Sequence, residues 1–190
     1  SDLIKSAMVS LGANEIATYS FISSKALDTL NLDEDDSRRK AVKLLNPLGD
    51  EYSTLRTQLI TSMLTVLSTN YNRKINDVRF FEISKRFIPK ALPLTEAPDE
   101  IPTMSIGIYG EEEDFFTLKG IVEDVLGIFD VSGKFAKSNE VYLHPGRQAE
   151  DTLNGDVIAV LGEVHPDVLS KYDIGVKALV AEIYIDKLFK

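Results

Sequence analysis

The stretch whose reading decides the fold is residues 147–163, RQAEDTLNGDVIAVLGE. Asn154-Gly155 at its centre suits a type I′ turn, because both central residues of that turn sit at positive φ. Residues 147–153 and 157–163 flank the turn and read as strands. Two strands joined by so short a turn must run antiparallel. Further on, residues 167–172 after Pro166 read as a helical turn and 177–185 as a strand. Moving back, residues 141–143 add a short strand. Glu111, Glu112, Glu113 and Asp114 precede a helix that buries Phe116, Ile121, Val122, Val125 and Leu126. Acids at a helix start suit its macrodipole. Met104, Ile106 and Ile108 alternate as a strand, and 78–83 is rich in β-branched and aromatic residues. Pro89, Pro93, Pro98 and Pro102 mark a loop over 89–102 that regular structure should avoid.

The N-terminal half carries more helix. Leu55, Leu59, Ile60, Met63, Leu64, Leu67 and Tyr71 form the stripe of a long helix over 53–72. Residues 41–45 read as a short strand ended by Asn46-Pro47. Ser23 or Ser24 can cap a short helix carrying Leu27 and Leu30. Residues 15–22 read as a strand with Ala17, Tyr19 and Phe21 on one face. Asp2 can cap a first helix with Leu3, Ile4, Ala7, Met8 and Leu11 at helical spacing, stopped by Gly12. Helices and strands mix without β-α-β alternation. The expected fold class is α+β, a largely antiparallel sheet flanked by helices, in one domain over 1–190.

Composition excludes several functions. The 190 residues hold no Cys, so disulfide scaffolds, thiolate metal sites and Cys nucleophiles fall away. The net charge of −9 argues against a basic module that wraps nucleic acid. It divides unevenly, about +2 over residues 1–90 and −11 over 91–190. No apolar run approaches the roughly 18 residues that span a bilayer. The amphipathic residues 1–11 do not read as a secretory signal. The expectation is a cytoplasmic protein with no membrane contact.

The common catalytic signatures are missing: no Gly-rich phosphate loop, no dinucleotide fingerprint, no nucleophile elbow. Two constellations remain open. His144 and His165 each precede a proline, and with Glu163 they could supply the ligands of a catalytic metal. The plainer reading makes each ring a partner for a local turn, since a residue before proline favours extended backbone. Arg73, Lys74, Arg79, Lys85, Arg86 and Lys90, interleaved with Tyr71, Phe80, Phe81 and Phe87, could contact RNA phosphates. The plainer reading places Phe80 and Phe81 in the core.

Three collinear stretches carry a family resemblance. The first is Asn46-Pro47-Leu48, Glu51, Leu55-Arg56-Thr57 and Leu59, running on through Asn70 and Asn72-Arg73 to Val78-Arg79-Phe80-Phe81-Glu82-Ile83. The second is Asp114-Phe115-Phe116-Thr117-Leu118-Lys119-Gly120. The third joins His144-Pro145-Gly146-Arg147-Gln148-Ala149 to Leu161-Gly162-Glu163-Val164-His165-Pro166. Together they resemble the beta subunit of bacterial-type phenylalanyl-tRNA synthetase, over nearly the whole chain. The resemblance implies a class II synthetase core that is catalytically silent, within an (αβ)₂ heterotetramer. There the alpha subunit activates phenylalanine with ATP and magnesium and charges tRNA(Phe). This domain would need no cofactor of its own and would pack on the alpha subunit. The chain would then be a cut-out module of a longer subunit.

The residues agree with silence. Class II chemistry needs fixed arginines on the phosphates. No Arg follows Arg147, so the late motif-3 position has no occupant. The run Val78 to Glu82 only loosely echoes motif 2. Residues 11–18 echo motif 1, a dimerisation unit, with Tyr19 where that motif has proline. Leu3, Ile4, Ala7, Met8, Leu11, Tyr19 and Phe21 are therefore the expected interface. Gly146 is expected at positive φ in a structural corner, with Arg147 paired internally. The family's Pro-Gly run is replaced by Ile60-Thr61-Ser62-Met63-Leu64, and its Phe-Glu-Ile-Gly by Phe81-Glu82-Ile83-Ser84.

Overall fold

The computed structural model describes residues 2–189; Ser1, which opens the amphipathic N-terminal stretch, lies outside them. In chain order the elements are α1 (Asp2–Ser10), β1 (Asn14–Glu15), β2 (Phe21–Ile22), β3 (Thr54–Leu55), α2 (Ile60–Asn72), β4 (Val78–Ile88), β5 (Asp99–Tyr109), α3 (Phe115–Ile128), β6 (Lys134–Ala136), β7 (Leu143–Leu153), β8 (Asp156–Val164), α4 (Pro166–Lys171) and β9 (Leu179–Tyr184). Seven strands form one sheet in the order β1-β4-β5-β9-β8-β7-β6, and β2 pairs with β3 beside it. Every neighbour pair in the large sheet is antiparallel except β1 with β4. The α+β expectation holds.

The hairpin read from Asn154-Gly155 forms as expected. Asn154 has φ 53° and Gly155 φ 89°, and Leu153 pairs with Asp156 across the turn. Alternation along the strands then sorts side chains to two cores. Met104, Ile106, Ile108, Leu161, Leu179, Ala181 and Ile183 point to one face, where α1 and α3 cover them. Val160, Val180 and Tyr109 point to the other, beneath α2. There Met63 approaches β5 so closely that a Cβ on Gly107 would lie 2.6 Å from its Cγ and Sδ. Only a residue without a side chain lets α2 sit that low.

Several boundaries differ from the expectations, each for a physical reason. Residues 16–20 belong to no strand, because the chain leaves β4 after β1 and crosses to pair Phe21 with Leu55. Residues 41–45 contribute only an isolated bridge, Lys43 to Thr54. Helix α2 begins at Ile60, since residues 53–59 are spent on β3 and on contacts with the sheet. The proline-rich loop ends before Asp99: Pro102 lies inside β5, paired with Lys85. The β9 neighbour starts only at Thr103, so β5 is an edge at Pro102 and the missing N–H is tolerated. Phe116 is 76% exposed rather than buried, being on the first turn of α3 outside its buried stripe. Asp2 stands within α1, not before it. Neither Ser23 nor Ser24 caps the short 3₁₀ turn Ala26–Leu30, which starts after Lys25 without a side-chain cap; Ser23 accepts only the Lys25 amide, ahead of the turn.

Candidate functional site

The α2 side of the sheet carries an unusual row of buried polar residues. Glu82 on β4, Ser105 on β5 and Glu182 on β9 are direct cross-strand neighbours, and all three are buried. An uncompensated buried charge costs several kcal/mol, roughly 3–5 when one partner of a pair is removed. Each glutamate is therefore matched.

Glu82 is matched by Arg56, whose side chain is fully buried. The Arg56 Nη2 donates to Glu82 Oε1 at 3.2 Å and to Ser84 Oγ at 2.6 Å. Its Nη1 donates to Thr18 Oγ1 at 2.7 Å, and its Nε to the Lys85 carbonyl at 3.1 Å. Thr18 closes the set by donating its amide to Glu82 at 3.0 Å and its hydroxyl at 2.8 Å. One guanidinium thus ties the crossing segment at Thr18, the entry to α2 and strand β4 together. The sequence marked Arg56 and Glu82 through the family resemblance and Thr18 through the motif-1 echo, while Ser84 stood only where the family has glycine.

Glu182 is matched by backbone. The Leu59 amide, just before α2, donates to its Oε1 at 2.5 Å. Burial pushes this carboxyl above its ordinary value, although the Leu59 amide, Arg86 and Arg38 pull it down. Arg38 in turn donates to Asp36 and to Glu140 at 2.8 Å each, and Thr57 donates to the Arg38 carbonyl at 2.6 Å. Arg86 lies over the Tyr184 ring at 4.4 Å. Burial raises the Tyr184 and Tyr142 phenols. Residues 56–59 with Arg38 so cover this polar face from within the chain.

The other residues singled out from sequence fall into three places. His144 Nδ1 accepts the Gly146 amide at 3.1 Å, and His165 Nδ1 accepts the Asp167 amide at 3.1 Å, capping α4 with Pro166 in its first turn. Arg147 donates to both Glu163 oxygens at 3.0 Å. Each member of the supposed metal triad is thereby engaged locally, and no three His, Asp or Glu among the described residues could hold a metal ion. Pro145 and Gly146 lie within β7, and Gly146 is not among the positive-φ glycines, correcting the expected left-handed corner. Gly162 is required for space: a Cβ there would meet the Arg147 carbonyl at 2.7 Å.

Half of the basic cluster of the RNA reading is paired with acids. Arg79 pairs with Glu113 at 2.6 Å, Lys85 with Glu100 at 2.6 Å and Lys90 with Glu96 at 3.0 Å. Of the interface residues, Ile4 and Met8 are buried in the chain's own core against α3, so they cannot themselves meet a partner. Ala7 and Leu11 are half-buried, while Leu3, Tyr19 and Phe21 are exposed. Asn46 and Pro47 sit at an exposed tip between Leu45 and Leu48. No helix among the described residues is long and apolar enough to cross a membrane.

Known proteins share this fold. The structure superposes on pyrrolysyl-tRNA synthetase from Desulfitobacterium hafniense with a TM-score of 0.78 and 16% identity, covering 99% of this chain and 66% of that one. The likeness shows that the two chains share a fold. The chain is 38% identical to the phenylalanine–tRNA ligase beta subunits of Clostridium tetani and Clostridium acetobutylicum, over 100% of its own length and 24% of theirs. It is 35% identical to that of Moorella thermoacetica, over 94% of its length and 23% of the relative's. It therefore spans about a quarter of these curated relatives (24%). The profile of the phenylalanyl tRNA synthetase beta chain CLM domain matches residues 1–185. Fold, whole-chain identity and profile converge, and this class-II-core-like chain belongs to the phenylalanyl-tRNA synthetase beta chain CLM domain family.

Proposed function

We propose that this chain is a catalytically silent class II core that supports aminoacylation of tRNA(Phe) by packing on the catalytic alpha subunit, in the cytoplasm. The observation that carries the reading is the fate of Arg56. A class II reaction centre needs arginines free to hold phosphate charge as it develops. Here Arg56 is fully buried and committed to Glu82, and the polar face around it is covered by the chain's own residues 56–59. No Arg stands anywhere after position 147. The residues of this face do not fit ATP and magnesium, which belong in this reading to the alpha subunit.

The partner surface on this reading is the exposed part of the motif-1-like segment: Leu3 on α1, then Tyr19 and Phe21. Tyr19 is 71% exposed and Leu3 66%, so both are available for burial against a second chain. Phenylalanine-dependent pyrophosphate exchange tests the first half: the isolated chain should give none, and exchange without the alpha subunit would end the silent-core reading. Co-purification tests the second: the chain should elute with the alpha subunit, and failure to associate would end the scaffold reading.

A further inference from the structure

Residues from all the late motif stretches meet at one place that the scaffold reading leaves unused. Asp114 and Phe116 at the start of α3, Arg147 on β7, Glu163 on β8 and Lys177 just before β9 line a single open cleft of about 560 Å³. It lies on the α3 side of the sheet, opposite the Arg56–Glu82 pair, because Glu163 and Lys177 share the parity of Leu161 and Leu179.

Its chemistry is specific. Phe116 is 76% exposed and held edge-on by Phe115, with centroids 5.7 Å apart. Most of the Phe116 ring is thus offered to solvent. Arg147 engages Glu163 through Nη1 alone, which leaves its second terminal nitrogen to face a ligand. Lys177 is exposed. The Thr117 amide and hydroxyl, with Lys177 nearby, hold the Asp114 carboxyl below its ordinary range, so it stays an acceptor. An aromatic platform with two cations and two carboxylate acceptors matches a base, its phosphate and its exocyclic amino group. Size points the same way: small-ligand pockets run to roughly 300–1,000 Å³, whereas a protein interface takes about 20–30 residues a side.

We infer that this cleft binds a nucleotide, the base stacked on Phe116 and the phosphate held by Arg147 and Lys177. The cleft shares no lining residue with the proposed partner surface at Leu3, Tyr19 and Phe21, and it lies on the opposite side of the sheet from the Arg56–Glu82 pair. The nucleotide is either free or an unpaired position of an RNA strand, and both present the same chemistry.

Two probes test it on this chain: adenosine 5′-monophosphate by calorimetry, and a labelled single-stranded RNA pentanucleotide by fluorescence anisotropy. Phe116→Leu, which keeps apolar bulk, should melt as the wild type and bind about fivefold or more weakly, the loss of one base–aromatic stack. A fourfold rise in salt should weaken RNA binding by about threefold to sevenfold, the slope for one or two single-strand phosphates. Lys177→Ala should flatten that slope. Equal affinity for both probes assigns a free nucleotide; tighter binding of the RNA assigns a strand. Wild-type protein that takes neither probe at millimolar concentration overturns the inference, as does Phe116→Leu binding both unchanged.

Discussion

Arg56 and Glu182 solve the same problem, a charge inside the protein, in different ways. Arg56→Met leaves Glu82 buried without its cation and should cost about 3–5 kcal/mol in urea unfolding. Adding Glu82→Leu should recover most of that loss, because apolar replacement of a whole buried pair is often neutral. An equally large loss in the double variant would mean that the pair is net stabilising. Glu182 predicts a pH effect. Its folded-state value is raised above the ordinary 4.5 by burial, so the folded protein binds this proton more tightly than the unfolded chain. That contribution is fully present in acid and is lost as pH rises from about 4.5 through the folded value. Glu182→Gln keeps an acceptor for the Leu59 amide without the charge. It should remove this decline and leave the protein at least as stable at pH 7, as read by urea midpoints across pH. A steeper decline in the variant would show that the charged form is the favoured one.

Among the elements, the β7–β8 hairpin and α3 follow most directly from their end residues. Gly155 at φ 89° allows a turn that an L side chain resists, so Gly155→Ala should cost about 1–2 kcal/mol with no change in contacts elsewhere. A thermal melt within error of wild type would remove the turn as a determinant. Asp114 Oδ1 accepts the Thr117 amide at 2.7 Å at the head of α3. Asp114→Ala should cost about 1 kcal/mol, while Asp114→Ser should cost less. Boundaries were less legible where tertiary contacts compete with local pattern. Leu55 and Leu59 continue the α2 stripe at helical spacing, yet they lie outside the helix. Leu55 pairs with Phe21, and the Leu59 amide is taken by Glu182, 123 positions away in the sequence. Periodicity cannot report a partner so distant.

For the whole molecule, the sheet separates two roles. One face is closed by α2 and a buried polar row; the other carries α1, α3 and the open cleft. The partner surface proposed above includes Tyr19, which packs edge-on against Tyr52 at 5.4 Å. Tyr19→Glu with Phe21→Glu should abolish co-purification with the alpha subunit while the melting temperature of the isolated chain stays within a few degrees. Retained assembly would move the interface elsewhere. Met8 is not a usable probe, because it is fully buried and its replacement would unfold α1 from α3.

Local chemistry in the sequence was enough for the antiparallel hairpin, the two amphipathic helices α2 and α3, the α+β class and the family, since turn residues, apolar spacing and motif order act over short range. It also placed Arg56, Glu82, Arg147 and Glu163 among the residues that matter. Only the tertiary structure decided what they do. It buried Arg56 on Glu82, set Arg147 on Glu163, placed Gly146 in an irregular stretch of β7 without positive φ and left Phe116 in solvent. The physical reason is common to all four: charge pairing and burial depend on which strands become neighbours, and the sheet order joins segments far apart in the chain.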